Sequence, residues 1–344
     1  MDRPYGTCLH VFTSTTGVLI GLVCIAPDMA DSKKPIRQAG EIASLLIAIV
    51  FVASDALPAK IGSNSHLCDD LDRAYRADGG AGTFRKLNFY LFDAAERGCL
   101  SLARRFVDIG ADVEARDRFG NTALNIAARM GHQDLIGYLL EEGSDFEKAN
   151  LAGSTPLLRA VESDRRRAAK ALLDAGADPN VANLKGIRPL IAAAFNGNDR
   201  LVKLLLEHGA DPDHADRTGK SAIIYAAGKG FGGIVEQLIG TGVPADAADA
   251  HALTPLMWAA GHANDVPADE AIATIELLLT RGASIDLQDD RGRSALMIAA
   301  ERGHGEVVRH LMAAGADRLQ QDKNGKRALD LAADPSVRSL LEGS

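Results

Sequence analysis

Aromatic residues are scarce in this chain: they make up 5% of its 344 residues, with one tryptophan and five tyrosines. A core of large rings is excluded, and with 47% of the residues apolar any sizeable core must rest on alanine and leucine, which suits helices lying close together. Positive charge is also in deficit. Lysine and arginine number 38 against 46 aspartates and glutamates, a formal net charge of −8 at pH 7, the opposite of what nucleic-acid phosphates demand. There are four cysteines, at spacings that exclude a zinc ribbon. Long apolar runs are missing too. Val11 to Ala26 is broken by Thr13, Ser14, Thr15 and Thr16, and Ile42 to Ala53 falls short of the roughly 20 residues a spanning helix needs.

Glycine, in contrast, recurs in register. One series runs Gly120, Gly153, Gly186, Gly219, Gly292 and Gly325; a second runs Gly110, Gly143, Gly176, Gly209, Gly242, Gly282 and Gly315. The step is 33 residues throughout, except for one of 40. Such a period marks small units that bury their apolar faces only by stacking. Three residues before each turn glycine, and before Ala252 in the place of one, stands a polar acceptor (Asp117, Asn150, Asn183, Asp216, Asp249, Asp289, Asp322), as a β-turn wants. After the turn, Thr122, Thr155, Ser221, Thr254 and Ser294 are placed as helix N-caps, with Pro156, Pro189 and Pro255 in first helical turns. Paired alanines such as Ala226 and Ala227 give the first helix a small-residue face. A second helix with paired leucines such as Leu172 and Leu173 ends at a glycine suited to a left-handed cap.

The pattern resembles the ankyrin repeat over roughly 87 to 344. Its Thr-Pro-Leu signature stands at Thr155 to Ala160 and Thr254 to Ala259, and its Leu-Leu to Gly-Ala-Asp ending at Leu172 to Asp178 and Leu205 to Asp211. The resemblance implies an all-α repeat solenoid with short β-hairpin tips, a stack of about eight units including caps. The boundaries read as 87–116 (cap), 117–149, 150–182, 183–215, 216–248, 249–288 with an insertion, 289–321 and 322–344 (cap), within a domain 85–344. The histidine usual after Thr-Pro-Leu is replaced by Asn125, Leu158, Ile191, Ile224, Met257, Met297 and Asp330. The imidazole hydrogen bonds between neighbouring repeats are therefore in question. In the first unit, Phe92 to Gly98 reads as the inner helix and Leu100 to Ile109 as the outer, with the hairpin lost. In the sixth, Ala252 takes the place of the turn glycine, and Pro267 marks a new start for the outer helix after the insertion.

Ahead of the repeats, residues 1–59 carry the layout of a secretory signal: Lys33, Lys34 and Arg37, then the apolar Ile42 to Ala53, then small residues near Ala56 to Ala59. Met29 is the expected start of translation, and export to a bacterial periplasm or secretion is the expected destination. An uncleaved N-terminal anchor or a cytoplasmic protein are the alternatives. Residues 60–84 read as a short helix at Cys68 to Arg76 followed by a Gly-rich linker. After cleavage Cys68 and Cys99 remain, either bridged or as two free thiols.

Ligands of the ankyrin family lie along a concave face of hairpin tips and inner-helix ends. Carried over by position, this gives an apolar zone of Phe119, Met130, Leu151, Leu184, Ile187 and Phe195 and a basic zone that includes Arg217, Lys220, Arg291, Arg293, Lys323 and Lys326. The expected function is a monomeric, non-enzymatic scaffold that binds another protein, with no nucleic acid and, once the signal is cleaved, no membrane. The alternative is an enzyme or metal-dependent accessory sited at the insertion, where His262, Asp265, Asp269 and Glu270 gather. No catalytic residue, cofactor or metal is assigned. Gly228 to Gly233 satisfies a dinucleotide glycine pattern and Gly219-Lys220-Ser221 imitates the end of a phosphate loop, but both fall in the repeat frame as turns and a cap, not after strands. Trp258 and Tyr225 read as core.

Overall fold

The computed structural model describes residues 65–79, 84–262 and 266–343; the expected signal segment and start site lie outside them. Among the described residues, helix α1 (Ser65–Ala77) precedes eight helix pairs. The inner helices are α2 (Phe84–Arg97), α4 (Ala123–Met130), α6 (Pro156–Glu162), α8 (Pro189–Phe195), α10 (Ala222–Gly228), α12 (Pro255–Ala260), α14 (Ala295–Arg302) and α16 (Ala328–Leu331). Their outer partners are α3 (Leu100–Asp108), α5 (Gln133–Glu141), α7 (Arg166–Asp174), α9 (Asp199–Glu207), α11 (Gly232–Gly240), α13 (Ala268–Thr280), α15 (Gly305–Ala313) and α17 (Pro335–Glu342). Each inner helix packs on the next inner helix and each outer helix on the next outer helix. This is an all-helical ankyrin solenoid. Among the described residues no helix is long and apolar enough to cross a membrane.

Helices of six to nine residues are too short to persist alone, so burial between repeats must hold them. The paired alanines do this by their size: Ala127, Ala128, Ala193, Ala194, Ala226 and Ala227 are all fully buried, and the missing side-chain bulk lets successive inner helices approach. Leu139, Leu172, Leu205, Leu238 and Leu278 fill the space between inner and outer layers.

Each turn is closed by the acceptor three residues before its glycine. Asp117 Oδ1 accepts from the N–H groups of Phe119 and Asn121, both at 2.8 Å. Asn150, Asn183, Asp216, Asp249, Asp289 and Asp322 repeat that geometry. The tips carry little sheet character: one isolated bridge, Ala215 with Ser221, is formed among the described residues. At the N-caps, Thr122, Thr155 and Thr254 accept from the backbone three residues on, whereas Ser221 and Ser294, expected to do the same, make no capping hydrogen bond. Threonine's branched β-carbon restricts χ1; serine's hydroxyl has no such constraint.

The hydrogen bonds between repeats come from unexpected groups. Asn125 bonds only within its own repeat here, donating Nδ2–H to the Lys148 carbonyl at 3.2 Å, while Leu158, Ile191, Ile224, Met257 and Met297 are buried and simply pack. In place of the imidazole bonds runs a different ladder. Glu114, Glu147, Asn180, Asp246 and Asp286 each accept, at 2.7 to 2.9 Å, from a backbone N–H of the following repeat, namely Asp145, Asp178, Asp211, Ser284 and Asp317. His132 and His304 reach back in addition, to the carbonyls of Glu96 and Ala260, each at 3.0 Å.

Three local departures have physical causes. With its hairpin gone, the first repeat extends its inner helix to 14 residues, Phe84–Arg97, rather than starting at Phe92. Residues 65–79, set apart above as a helix and linker, share the repeat core: Leu71 and Tyr75 are buried, Tyr75 lies edge-on to Phe106 at 5.1 Å, and a disulfide joins Cys68 to Cys99 with Cα atoms 5.5 Å apart. In repeat six, α13 has 13 residues where the other outer helices of the array have eight or nine, and it begins after Pro267, so part of the insertion becomes an added helical turn. Ala252 sits at φ 60°, a left-handed conformation that disfavours a side chain.

Candidate protein-binding face

Leu151 and Leu184 occupy the same place in successive turns, and Phe119 stands one position further along the turn before them. Phe119, Leu151 and Leu184 are 56%, 67% and 59% exposed. The backbone holds them in line: Leu151 N–H donates to the Phe119 carbonyl at 3.0 Å, Leu184 N–H to that of Ala152 at 3.0 Å, and Arg217 N–H to that of Lys185 at 3.1 Å. Glycine is needed where these strands of turn meet, since a Cβ on Gly153 would lie 2.8 Å from the Leu184 nitrogen. Arg118 stacks over the Phe119 ring at 4.7 Å. The other members of the apolar zone are placed differently. Met130 and Ile187 are half-buried and packed against the core, and Phe195 is half-buried with its ring perpendicular to Tyr225 at 5.6 Å.

The basic zone divides in the same way. Arg291 grips Asp289 through Nε (3.0 Å) and Nη2 (2.9 Å), Arg293 pairs with Glu301, and Lys323 donates to the Asp290 carbonyl. Lys220 instead lies over rings, 4.6 Å from the Trp258 centroid and 5.8 Å from that of Tyr225. Lys229 lies over Phe195 at 5.5 Å. The inner-helix surface of repeats four to six is therefore a strip of half-buried rings crossed by lysines, a feature that reading Tyr225 and Trp258 as core overlooked. The signal was present in the spacing: each ring stands nine residues after its turn aspartate and donates to it, Tyr225 Oη to Asp216 at 2.7 Å and Trp258 Nε1 to Asp249 at 3.1 Å.

These bonds set the electrostatics. Burial pushes the Asp216 carboxyl up, but hydrogen bonds from Tyr225, Thr218 and Lys220 outweigh it, leaving its pKa below the ordinary carboxylate value. Burial, then the Asp216 carboxylate beside it, drives the Tyr225 phenol well above its usual range. Two repeats earlier, burial raises Glu162 despite its 2.9 Å contact with Arg159.

At the insertion, His262 is buried with its ring stacked on His304 at 4.0 Å, and burial lowers the His304 pKa. Asp269 and Glu270 begin α13, and Asp265 lies outside the described residues. Among the described residues no group of three or more His, Cys, Asp or Glu is disposed to hold a metal ion.

Comparison with known proteins agrees with this geometry. The family model described as ankyrin repeats (3 copies) matches residues 91–183, 190–268 and 266–344. Human ankyrin repeat domain-containing protein 63 is 38% identical over 68 residues, 20% of this chain and 18% of that protein. A putative ankyrin repeat-containing protein of Treponema pallidum (strain Nichols) is 46% identical over 65 residues, 19% of this chain and 22% of its own length. Human protein phosphatase 1 regulatory subunit 27 is 36% identical over 68 residues, 20% and 44% of the respective chains. Each match thus spans less than half of the relative concerned. Among solved structures, the ankyrin repeat domain of human ASB11 has a TM-score of 0.58 and 29% identity, covering 64% of this chain and 97% of that domain. With the repeat period, the stacked helix pairs and the family model in agreement over most of its length, the chain belongs to the ankyrin-repeat family.

Proposed function

We propose that this protein is a non-enzymatic scaffold that holds a partner protein along the face formed by its turns and inner helices. The observation that carries this reading is the row of Phe119, Leu151 and Leu184, exposed side by side on a hydrogen-bonded backbone. Clustered apolar side chains of this kind mark interaction surfaces, and a rigid backbone beneath them lowers the ordering cost of binding. Burying three such side chains yields about 4 to 9 kcal/mol gross, against association costs of about 4 to 15 kcal/mol. The tips therefore need polar contacts beside them. One relative is by name a regulatory subunit of protein phosphatase 1; the role of binding another protein is carried over here, not the phosphatase.

Export to a bacterial periplasm, or secretion, belongs to the same proposal. It is supported by the signal-like layout of residues 1–59 and by the Cys68–Cys99 disulfide, which persists in oxidising compartments. The scaffold reading is tested by affinity capture from the native host, using as baits the wild-type protein and the Leu151→Asp, Leu184→Asp double variant. A specific protein retained by the first and lost by the second supports it. Identical recovery by both removes the tips as the binding surface.

A further inference from the structure

Only some of the cations on this face are free to meet a ligand. Arg291 and Arg293 are neutralised by Asp289 and Glu301 within their own repeat. Lys220 is held differently. The turn aspartates of its own and the following repeat are already engaged: Asp216 accepts from the N–H groups of Thr218 and Lys220 and from the hydroxyls of Thr218 and Tyr225, and Asp249 from the N–H groups of His251 and Leu253 and from the Trp258 indole. What faces the Lys220 ammonium is the two ring faces. A ring quadrupole attracts a cation but takes none of its hydrogen bonds, so the three N–H donors of the ammonium keep their capacity for an anionic acceptor.

The rings are fixed before any partner arrives. Each is tied to its aspartate, Tyr225 is braced by Phe195, and Gly228 leaves room for Trp258, whose Cε3 would lie 3.3 Å from a Cβ at that position. One repeat back along the same face stands Leu184, and Arg217 is exposed at the neighbouring tip.

We infer that the partner presents an extended acidic segment with interspersed apolar side chains, one of whose carboxylates is taken by Lys220 over the Trp258 and Tyr225 rings while the apolar side chains reach Leu184 and Leu151. This rests on the protein-binding reading and names the chemistry of the partner. Charge complementarity commits the site to an acidic polypeptide: the available donor is a cation whose intramolecular carboxylates are occupied, and a carboxylate meeting it forms charge-assisted hydrogen bonds. A nucleic acid would bring phosphates and bases to the same rings, but the chain's net charge of −8 opposes a polyanion of that density.

Trp258 is the chain's one tryptophan, so its fluorescence reports on this site alone. The experiment titrates the full chain with a capped peptide of alternating Glu and Leu, its Lys and Leu counterpart, and an oligothymidylate. The Glu-Leu peptide should give a saturable change in emission that weakens with salt. Lys220→Gln should weaken its binding by about ten-fold, Lys220→Arg should restore most of it, and Arg291→Gln, which removes the same charge from a paired arginine, should leave it within about two-fold. The inference is overturned by the absence of a saturable change with the Glu-Leu peptide, by tighter binding of either other probe, or by equal losses in Lys220→Gln and Arg291→Gln. Capture that depends on Leu151 and Leu184 but not on Lys220 would overturn the acidic segment while leaving the scaffold standing.

Discussion

The Tyr225 hydroxyl donates to Asp216 Oδ2 at 2.7 Å, tying an inner-helix ring to the turn of its own repeat. The other oxygen of the same carboxylate accepts the turn's N–H groups from Thr218 and Lys220. One buried charge thus fixes both the tip and the helix that present the proposed binding face. Tyr225→Phe leaves the shape unchanged and removes a hydrogen bond to a charged group, so urea unfolding should show a loss of about 1.5 to 3 kcal/mol.

The same carboxylate gives a pH dependence of known sign. Asp216 has a lowered pKa in the folded state, so its contribution is complete above the unfolded value of about 3.9 and is lost as pH falls through the folded value. Unfolding free energy measured between neutral pH and about pH 2.5 should fall less steeply for Asp216→Asn than for wild type. Glu162 has the opposite sign. Its raised pKa makes its contribution greatest below the unfolded value and smaller as pH rises through the folded one, so Glu162→Gln should reduce the loss of stability across that upper range.

Ala252 occupies a left-handed turn position, φ 60°, where the equivalent turns carry Gly120, Gly153 or Gly292. Ala252→Gly should raise stability by about 1 kcal/mol, seen as a higher denaturation midpoint with an unchanged slope.

Ala227 is fully buried on α10, between its neighbours α8 and α12. Ala227→Leu inserts three carbons into a contact set by alanine, and a loss of about 1 to 3 kcal/mol or more is expected. Hydrogen exchange should localise the damage to repeats four to six, because coupling in a stack runs between neighbours.

The Cys68–Cys99 bridge closes a loop of sequence separation 31. Chain entropy assigns such a loop about 3.7 kcal/mol. Thermal melts with and without reductant should differ, and Cys99→Ser should melt as reduced wild type does.

Turn positions were legible in the sequence because their backbone needs particular residues: an acceptor such as Asp117 three residues ahead of Gly120 is a local requirement, repeated seven times. What depended on neighbouring repeats was not. The Glu114 to Asp145 ladder pairs loop residues 31 apart with no motif to announce them. The loss of the first repeat's hairpin was legible, but not that its residues from Phe84 to Leu91 join the inner helix. Tyr225 and Trp258 read as core because inner-helix aromatics ordinarily pack inward. They do pack against the core, but hydrogen bonds to Asp216 and Asp249 hold them half-buried beneath Lys220, and only the nine-residue spacing hinted at it. Likewise Arg217, Lys220, Arg291 and Arg293 look alike in sequence, and only geometry separates the paired arginines from Lys220.

The most direct measurement of the central claim is the dissociation constant of the purified complex with the captured partner, for wild type, the Leu151→Asp, Leu184→Asp double variant, and Leu319→Asp as an exposed apolar control away from the tips. The account predicts a loss of about 100-fold or more for the double variant, as for buried anchors, and a change within about two-fold for Leu319→Asp. Unchanged affinity in the double variant, or an equal loss in the control, would contradict it.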